Sequence, residues 1–301
     1  MTFVSPGTTF VPLGDDIRYP WDDIGHPWDD IRVPGPYVCG DNGETRMPVE
    51  IEQFMCRSDN FGVLVHDPKS GQTAIIDAPE EAPILAAIKR TGWTPTMILT
   101  THHHLDHVEA NLALKERFKL RIVGPEAEKA KIPGIDETVE EGSVIHLGDE
   151  RIEVIATPGH TSGHVSYYLP ASKVAFTADT LFALGCGRLF ECKPPVMHES
   201  LKKLAALPAA TVIYCGHEYT LANARFAVTV DPTNSALKER VARIEALRAD
   251  DKPTLPTTIG EELSTNPFLR WHDPAIRKHL GMEKASDAEV FAEIRKRKDN
   301  F

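Results

Sequence analysis

Residues 101–107 read Thr-His-His-His-Leu-Asp-His. Imidazole and carboxylate groups at this density are the donors that hold divalent cations. In an extended segment, residues two apart project to the same side. His102 and His104 can therefore grip one ion while His103 points away. Asp106 and His107 come after the strand end and can reach a second ion. Taken singly, a histidine such as His66, His146 or His279 reads as a surface or capped residue, and an aspartate after a strand as a turn or N-cap residue. Four ligand-type residues in six, with His103 besides, fit no solvated face and no amphipathic helix. His160, Asp179 and His217 would complete two coordination shells. A carboxylate can bridge two cations through its two oxygens, which makes Asp179 the bridging candidate. That assigns His102, His104 and His160 to one ion, and Asp106, His107 and His217 to the other. Asp106 reads as a ligand rather than a base, because a carboxylate on a cation is a poor proton acceptor. The cluster has no cysteine, which argues against a structural thiolate site, and zinc, iron and manganese all suit it. Cys215 reads as a small buried strand residue, and His164 as an outer partner of the ligands.

Donors this far apart need rigid elements to bring them together. From residue 61 the chain alternates short β-type runs with helical ones. FGVLVH (61–66) and TAIID (73–77) predict neighbouring strands joined by a turn at Lys69-Ser70-Gly71, and EEAPILAAIKRTG (80–92) a helix stopped by Gly92. Four further apolar runs end at ligand residues. MILTT (97–101) leads into the histidine cluster, RIEVIATP (151–158) into His160, KVAFTA (173–178) into Asp179, and TVIYCG (211–216) into His217. Buried strands hold their ends still while the loops beyond carry polar chemistry. Helices between the strands predict an α/β fold in αββα layers. Past Tyr219 strands are scarce. SALKERVARIEALRA (235–249) carries a helical stripe of Leu237, Val241, Ile244 and Leu247, and DAEVFAEIRKRK (287–298) ends a second helix on basic residues that suit its dipole.

Composition sets the bounds. The 301 residues hold 44 acidic and 33 basic side chains, for a net charge of -11, with 42% hydrophobic residues. This excludes a wholly disordered chain and argues against broad nucleic-acid binding. No apolar run approaches the length of a membrane span. Five scattered cysteines, Cys39, Cys56, Cys186, Cys192 and Cys215, suggest reduced thiols and a cytoplasmic home.

The first 46 residues stand apart. GDDIRYPWDDIGHPWDDIRVP (14–34) repeats Asp-Asp-Ile every seven residues, but Pro20 and Pro27 inside the repeat exclude a coiled coil. We expect a disordered, acidic, Pro-rich extension, with a partner-binding segment anchored by tryptophans as the alternative. It matches neither a secretory nor a mitochondrial leader. Strand-like patterning begins at Met47, which we expect to be the start of the functional protein.

Four stretches give the chain a resemblance: SDNFGVLV (58–65), ADTLFALGCGRLFE (178–191), YCGHEYTLANARFA (214–227), and NPFLR (266–270) with RKRKDNF (295–301). With the histidine motif they resemble the glyoxalase II (hydroxyacylglutathione hydrolase) branch of the metallo-β-lactamase superfamily. The resemblance covers residues 47–301. It implies a four-layer αββα sandwich over 47–217 and a smaller helical, glutathione-binding domain over 218–301. With the donors read above, we expect a binuclear centre, zinc first with iron or manganese as alternatives, in a monomer; charge and hydropathy argue for no nucleic-acid or membrane partner. The implied glutathione contacts are Arg188, Tyr219 and Arg270. Phe190 stands where relatives often carry tyrosine, so that position keeps a ring and loses a hydroxyl. After Arg270 the chain reads Trp271-His272-Asp273-Pro274, so a further basic contact would have to come from Arg277 or Lys278. With a net charge of -11, a basic lip is needed to capture an anionic conjugate.

The implied reaction is hydrolysis of S-D-lactoylglutathione, or another 2-hydroxyacylglutathione thioester, to the hydroxy acid and glutathione, in methylglyoxal detoxification. A water between two ions, acidified from about 15.7 toward about 7, would be the nucleophile, with Asp106 and Asp179 as its carboxylate ligands. A thiol with a reference pKa near ~8.5 leaves without a dedicated acid. A glutathione persulfide dioxygenase of the same fold would need only His102, His160 and Asp179. A non-catalytic metal-binding protein would close its coordination shell with protein ligands.

Overall fold

The computed structural model describes residues 49–301, together with the backbone of three short strands, β1 (Arg32–Pro34), β2 (Val38–Cys39) and β3 (Thr45–Arg46). The Asp-Asp-Ile repeats and Met47 lie outside the described residues.

Two sheets make the centre of the fold. The first contains β4 (Glu50–Cys56), β5 (Asn60–Asp67), β6 (Gln72–Ile76), β7 (Pro95–Leu99), β8 (Arg121–Pro125) and β9 (Glu137–Val139), in the order β1-β4-β5-β6-β7-β8-β9. The β4–β5–β6 meander is antiparallel, with Ile51 opposite Val65, and β6 through β9 run parallel. The second sheet contains β10 (Val144–Leu147), β11 (Glu150–Ala156), β12 (Val165–Leu169) and β13 (Val174–Ala178). After the small hairpin β14 (Leu181–Phe182) and β15 (Gly185–Cys186) it is completed by β16 (Val212–Cys215) and β17 (Thr257–Thr258). In this sheet β13 and β16 are parallel neighbours.

Side-chain alternation explains why the sheets stack. Val63, Val65, Ala74, Ile76, Met97 and Leu99 face inward and meet Ile152, Val154, Val165, Tyr167, Val174 and Phe176 in one apolar layer. The opposite face of the first sheet, with Leu64, Ile75, Ile98 and Ile122, is covered by α1 (Glu81–Thr91) and α3 (Asn111–Phe118) through Ile84, Ala87 and Leu114. Between them lies the short helix α2 (Leu105–Val108). The outer face of the second sheet packs Ala175 and Ile213 against Met197, Leu201 and Leu204 of α4 (Pro194–Ala205). The result is the expected αββα sandwich. Gly92 ends α1 in the left-handed conformation (φ 73), where only glycine escapes a Cβ penalty.

The C-terminal part is helical: α5 (Thr220–Val230), α6 (Ser235–Ala249), α7 (Ile259–Thr265), α8 (Pro274–Leu280) and α9 (Asp287–Asp299). Its Phe226, Phe268, Trp271 and Phe291 share one apolar cluster with α4 and the second sheet, so this domain is fused to the sandwich by a continuous core. Leu237 and Ile244 of α6 are buried as the helical stripe predicts. Among the described residues no helix is long and apolar enough to cross a membrane.

Candidate active site

The strands β6, β7, β13 and β16 deliver their C-terminal ends to one edge of the sandwich. Asp77 follows β6, the cluster 102–107 follows β7, Asp179 follows β13 and His217 follows β16. His160 arrives from the loop between β11 and β12. Three donor groups result: His102, His104 and His160; His102, His107 and Asp179; and Asp106, His107 and His217. Within each, the ligand atoms lie within 4.8 Å of one another. All seven residues inferred from the sequence thus meet in one place, and His103 turns away as its odd position requires.

The electrostatics suit cations. His104 Nδ1 lies 3.1 Å from His102 Nε2 and 2.9 Å from His160 Nε2. Burial lowers the pKa of all three rings, and neighbouring histidines add to the effect. Neutral imidazoles aim lone pairs at one another here, an arrangement that repels unless a cation takes them. On the other side, His107 Nε2 and Asp179 Oδ1 are buried without a hydrogen-bond partner, 3.5 Å apart. Asp179 Oδ2 lies 3.4 Å from His160 Nε2 and 3.3 Å from His217 Nε2, so its carboxylate faces both trios. Burial would raise the Asp179 pKa; the imidazoles of His217 and His107 override it and hold the group well below the usual carboxylate range. The buried donor set, with unpartnered atoms aimed inward, fits two divalent ions.

Outer residues fix the rings. Asp77 Oδ2 accepts from His107 Nδ1 (2.8 Å) and Thr101 Oγ1 (2.8 Å), while Oδ1 accepts from the Thr101 amide (2.7 Å). Asp59 Oδ1 accepts from His217 Nδ1 (2.9 Å), and the Arg188 carbonyl from His160 Nδ1 (2.8 Å). In each case Nδ1 donates outward and Nε2 is the ring atom turned toward the centre. Asn60 Nδ2 donates to Asp106 Oδ2 (3.1 Å) and orients that carboxylate. His164 is buried behind the ligands: its Nδ1 meets Thr157 and Thr180, and its Nε2 accepts from the Asp179 amide (3.3 Å). Cys215 is buried as expected. Gly187 and Gly216 are needed for packing, because a Cβ would meet Asp179 O at 1.8 Å or Asp179 Oδ1 at 2.4 Å.

The cluster opens into a cavity of about 410 Å³. His104, Asp106, His160, Asp179 and His217 form one end, and Arg188, Arg295 and Lys298 contribute the basic side chains. Phe190 packs edge-on against His160 and His104 (5.1 and 5.8 Å between centroids), and Tyr219 stacks on His217 (4.6 Å).

The sequence model of the metallo-beta-lactamase superfamily matches residues 62–217, and that of the hydroxyacylglutathione hydrolase C-terminus matches 218–301. A hydroxyacylglutathione hydrolase of Mesorhizobium japonicum is 94% identical over 255 residues, 85% of this chain and 100% of that protein. The chain belongs to the hydroxyacylglutathione hydrolase family. One from Chelativorans sp. is 69% identical over the same shares of each chain. Among solved structures, ETHE1 from Myxococcus xanthus superposes with a TM-score of 0.60 at 26% identity, over 82% of this chain and 89% of that one. A di-iron-bound form of TTHA1623 gives 0.52 at 28%, over 71% and 98%.

One contact that the resemblance implies is not found at the cavity. Arg270 does not line the cavity. Its Nε donates to the buried Asp231 (3.2 Å) and its Nη2 to Asp273 (2.5 Å), so its charge is spent bracing α5 against the start of α8. Arg277 is likewise tied to Asp287 and to the Trp271 and Ala285 carbonyls. Besides Arg188, the basic groups at the cavity come from α9. Arg295 and Lys298 are three apart and so share a helix face. Arg295 is held by the Cys186 carbonyl (3.0 Å) and Asp299, and Lys298 donates to the Ala222 carbonyl (3.1 Å). Burial, aided by Arg295, brings the Lys298 pKa down to about 8.

Proposed function

We propose that this hydroxyacylglutathione hydrolase cleaves S-D-lactoylglutathione and related 2-hydroxyacylglutathione thioesters to D-lactate, or the corresponding acid, and glutathione, and serves methylglyoxal degradation. The observation that carries this is the two-ended cavity, with five of the seven metal donors lining one end, His102 and His107 buried behind them, and three basic side chains at the other. His102, His104 and His160 would hold one divalent ion, Asp106, His107 and His217 the other, and Asp179 would bridge them; zinc is proposed first, with iron and manganese admitted by the same donors. When bound, such ions supply an acidified water at neutral pH and polarise the carbonyl that it attacks.

The chain's own residues do the rest. Asp77, Asp59 and the Arg188 carbonyl hold three imidazoles in the tautomer that coordinates. Arg188 and Lys298 bind the carboxylates of the glutathione moiety, and Arg295, anchored to Cys186 O, sets the floor between them. Phe190 and Tyr219 flank the peptide. Burial, reinforced by Asp59, raises the Tyr219 pKa, so its phenol stays protonated and can donate a hydrogen bond. Burial pushes the Cys186 thiol up to about 11, which removes it as a nucleophile. The departing thiol leaves as thiolate and needs no acid from the protein. A persulfide dioxygenase would leave Asp106, His107 and His217 without a task, although they converge as closely as the first trio.

Residues 47–217 would form the catalytic domain and 218–301 the glutathione-binding one, in a cytoplasmic monomer with reduced thiols. Thiol release from S-D-lactoylglutathione, run beside metal analysis, tests the assignment. Turnover with two ions per chain is expected; a metal-loaded protein that releases no thiol would overturn it.

A further inference from the structure

β8 is followed by a single 3-10 turn, Glu126–Glu128, on the first sheet's side of the site. Glu128 ends that turn and is 2% exposed. Burying a carboxylate costs several kcal/mol unless donors surround it, and here four do. Oε2 accepts from the His103 amide (2.7 Å) and His103 Nδ1 (2.8 Å); Oε1 accepts from the Gly163 amide (3.0 Å) and Thr161 Oγ1 (2.5 Å). These donors belong to two different segments. His103 sits between His102 and His104, while Thr161 and Gly163 follow His160. One buried side chain therefore ties together the two backbone segments that carry His102, His104 and His160.

The glycine on the far side supports the same assignment. A Cβ on Gly163 would lie 2.5 Å from Glu128 Cγ and 2.8 Å from Ala127 Cβ. Only a glycine lets that loop approach closely enough for its amide to reach the carboxylate. An outer contact, from the Ser162 amide to Glu191 Oε2 (2.7 Å), runs beside it but is exposed to solvent.

We propose that Glu128 is a positioning residue for the reaction: it sets the spacing of the His102–His104 segment and the His160 loop, and so the affinity of the ion those three histidines hold. The proposal rests on the two-ion reading of the site. It is specific to one of the two ions, because Asp106, His107 and His217 are oriented by Asn60, Asp77 and Asp59 instead. In Glu128→Gln the amide accepts at one end only. It can serve one segment and must turn N–H groups toward the donors of the other, so the two segments separate.

Metal content of the full-length protein under graded chelator challenge tests this. Wild type is expected to hold two ions. Glu128→Gln is expected to release one of them at about 10- to 100-fold lower chelator, the usual cost of losing an outer partner of metal ligands. kcat should fall and recover with added metal, at unchanged KM. In a His217→Ala background, which cripples the other trio, the same substitution should take the remaining ion. Gly163→Ala attacks the same contact from the opposite loop and should reproduce the loss, which covers the case in which Glu128→Gln fails to fold. A folded variant of either kind that keeps both ions at wild-type affinity overturns the proposal, as does equal loss of both ions. A wild type that never binds two ions would instead overturn the underlying two-ion reading.

Discussion

Asp77→Asn is the sharpest perturbation of the centre, because it changes one atom and no volume. In the wild type three donors point at this carboxylate: the Thr101 amide, Thr101 Oγ1 and His107 Nδ1. Asparagine offers one oxygen. If that oxygen keeps the Thr101 amide, the NH2 group faces His107 Nδ1 at the former 2.8 Å contact. The ring must then accept there, and its proton moves to Nε2. That is the atom 3.5 Å from Asp179 Oδ1 and 3.6 Å from Asp106 Oδ2, so the lone pair needed for coordination is lost. Losing such an outer partner costs about 10- to 100-fold in metal affinity, or about 1.4 to 2.8 kcal/mol at 1.4 kcal/mol per decade. The loss should fall on the ion held by Asp106, His107 and His217. Chelator competition, read as metal content, measures it, and kcat at saturating metal should remain depressed. If Asp77→Asn folds and binds both ions with unchanged affinity, Asp77 does not set the His107 tautomer and the reasoning fails.

Four further outcomes follow from the same geometry. Asp179→Ala should cut turnover by at least about 10²- to 10³-fold, the cost of one preorganised stabilising group, and lower bound metal with it; full activity in metal-depleted buffer would refute the bridging role. Arg188→Ala should raise KM about three- to tenfold at nearly constant kcat, a modest effect because the side chain is exposed and screened; a kcat loss at constant KM would refute uniform binding. Lys298 has its pKa lowered to about 8, so its charge is present below that pH and lost above it; kcat/KM should fall up to about tenfold between pH 7 and 9, Lys298→Arg should flatten the profile, and an identical fall in both would refute the contact. Arg270→Ala should destabilise by about 2 to 4 kcal/mol, because it leaves the buried Asp231 without its cation, at unchanged KM; a raised KM in a stable variant would restore Arg270 to the cavity.

What the sequence revealed follows one physical rule. Apolar runs that end in polar residues are legible because burial forces their composition, and the metal-donor groups follow directly on those runs, themselves still buried. The runs before His102, His160, Asp179 and His217 obey this, and TAII (73–76) before Asp77 does so equally. Asp77 went unassigned because it stands alone, whereas the histidines announce one another. The β12 segment, VSYYL, is buried on both faces and so lacks the alternation that marks a half-exposed strand. Lys298 was hidden by ambiguity: the run RKRK suits the last turn of any helix, and only packing reveals which basic residues turn inward.

Arg270 and Glu128 show why single residues mislead in opposite directions. A charged residue in a sequence is assumed to be solvated, since most are, and its partner is invisible when it lies far along the chain. Asp231 lies 39 residues from Arg270 and takes it out of the cavity. The Gly163 amide lies 35 residues from Glu128 and brings that carboxylate to the metal ligands' backbone. Periodicity cannot distinguish the two cases, because both depend on the donors that meet the charge after folding. A buried carboxylate with four donors must be held by them as firmly as it holds them, so the residues that look most ordinary in the sequence carry the positional precision of the histidines that look most remarkable for their chemistry.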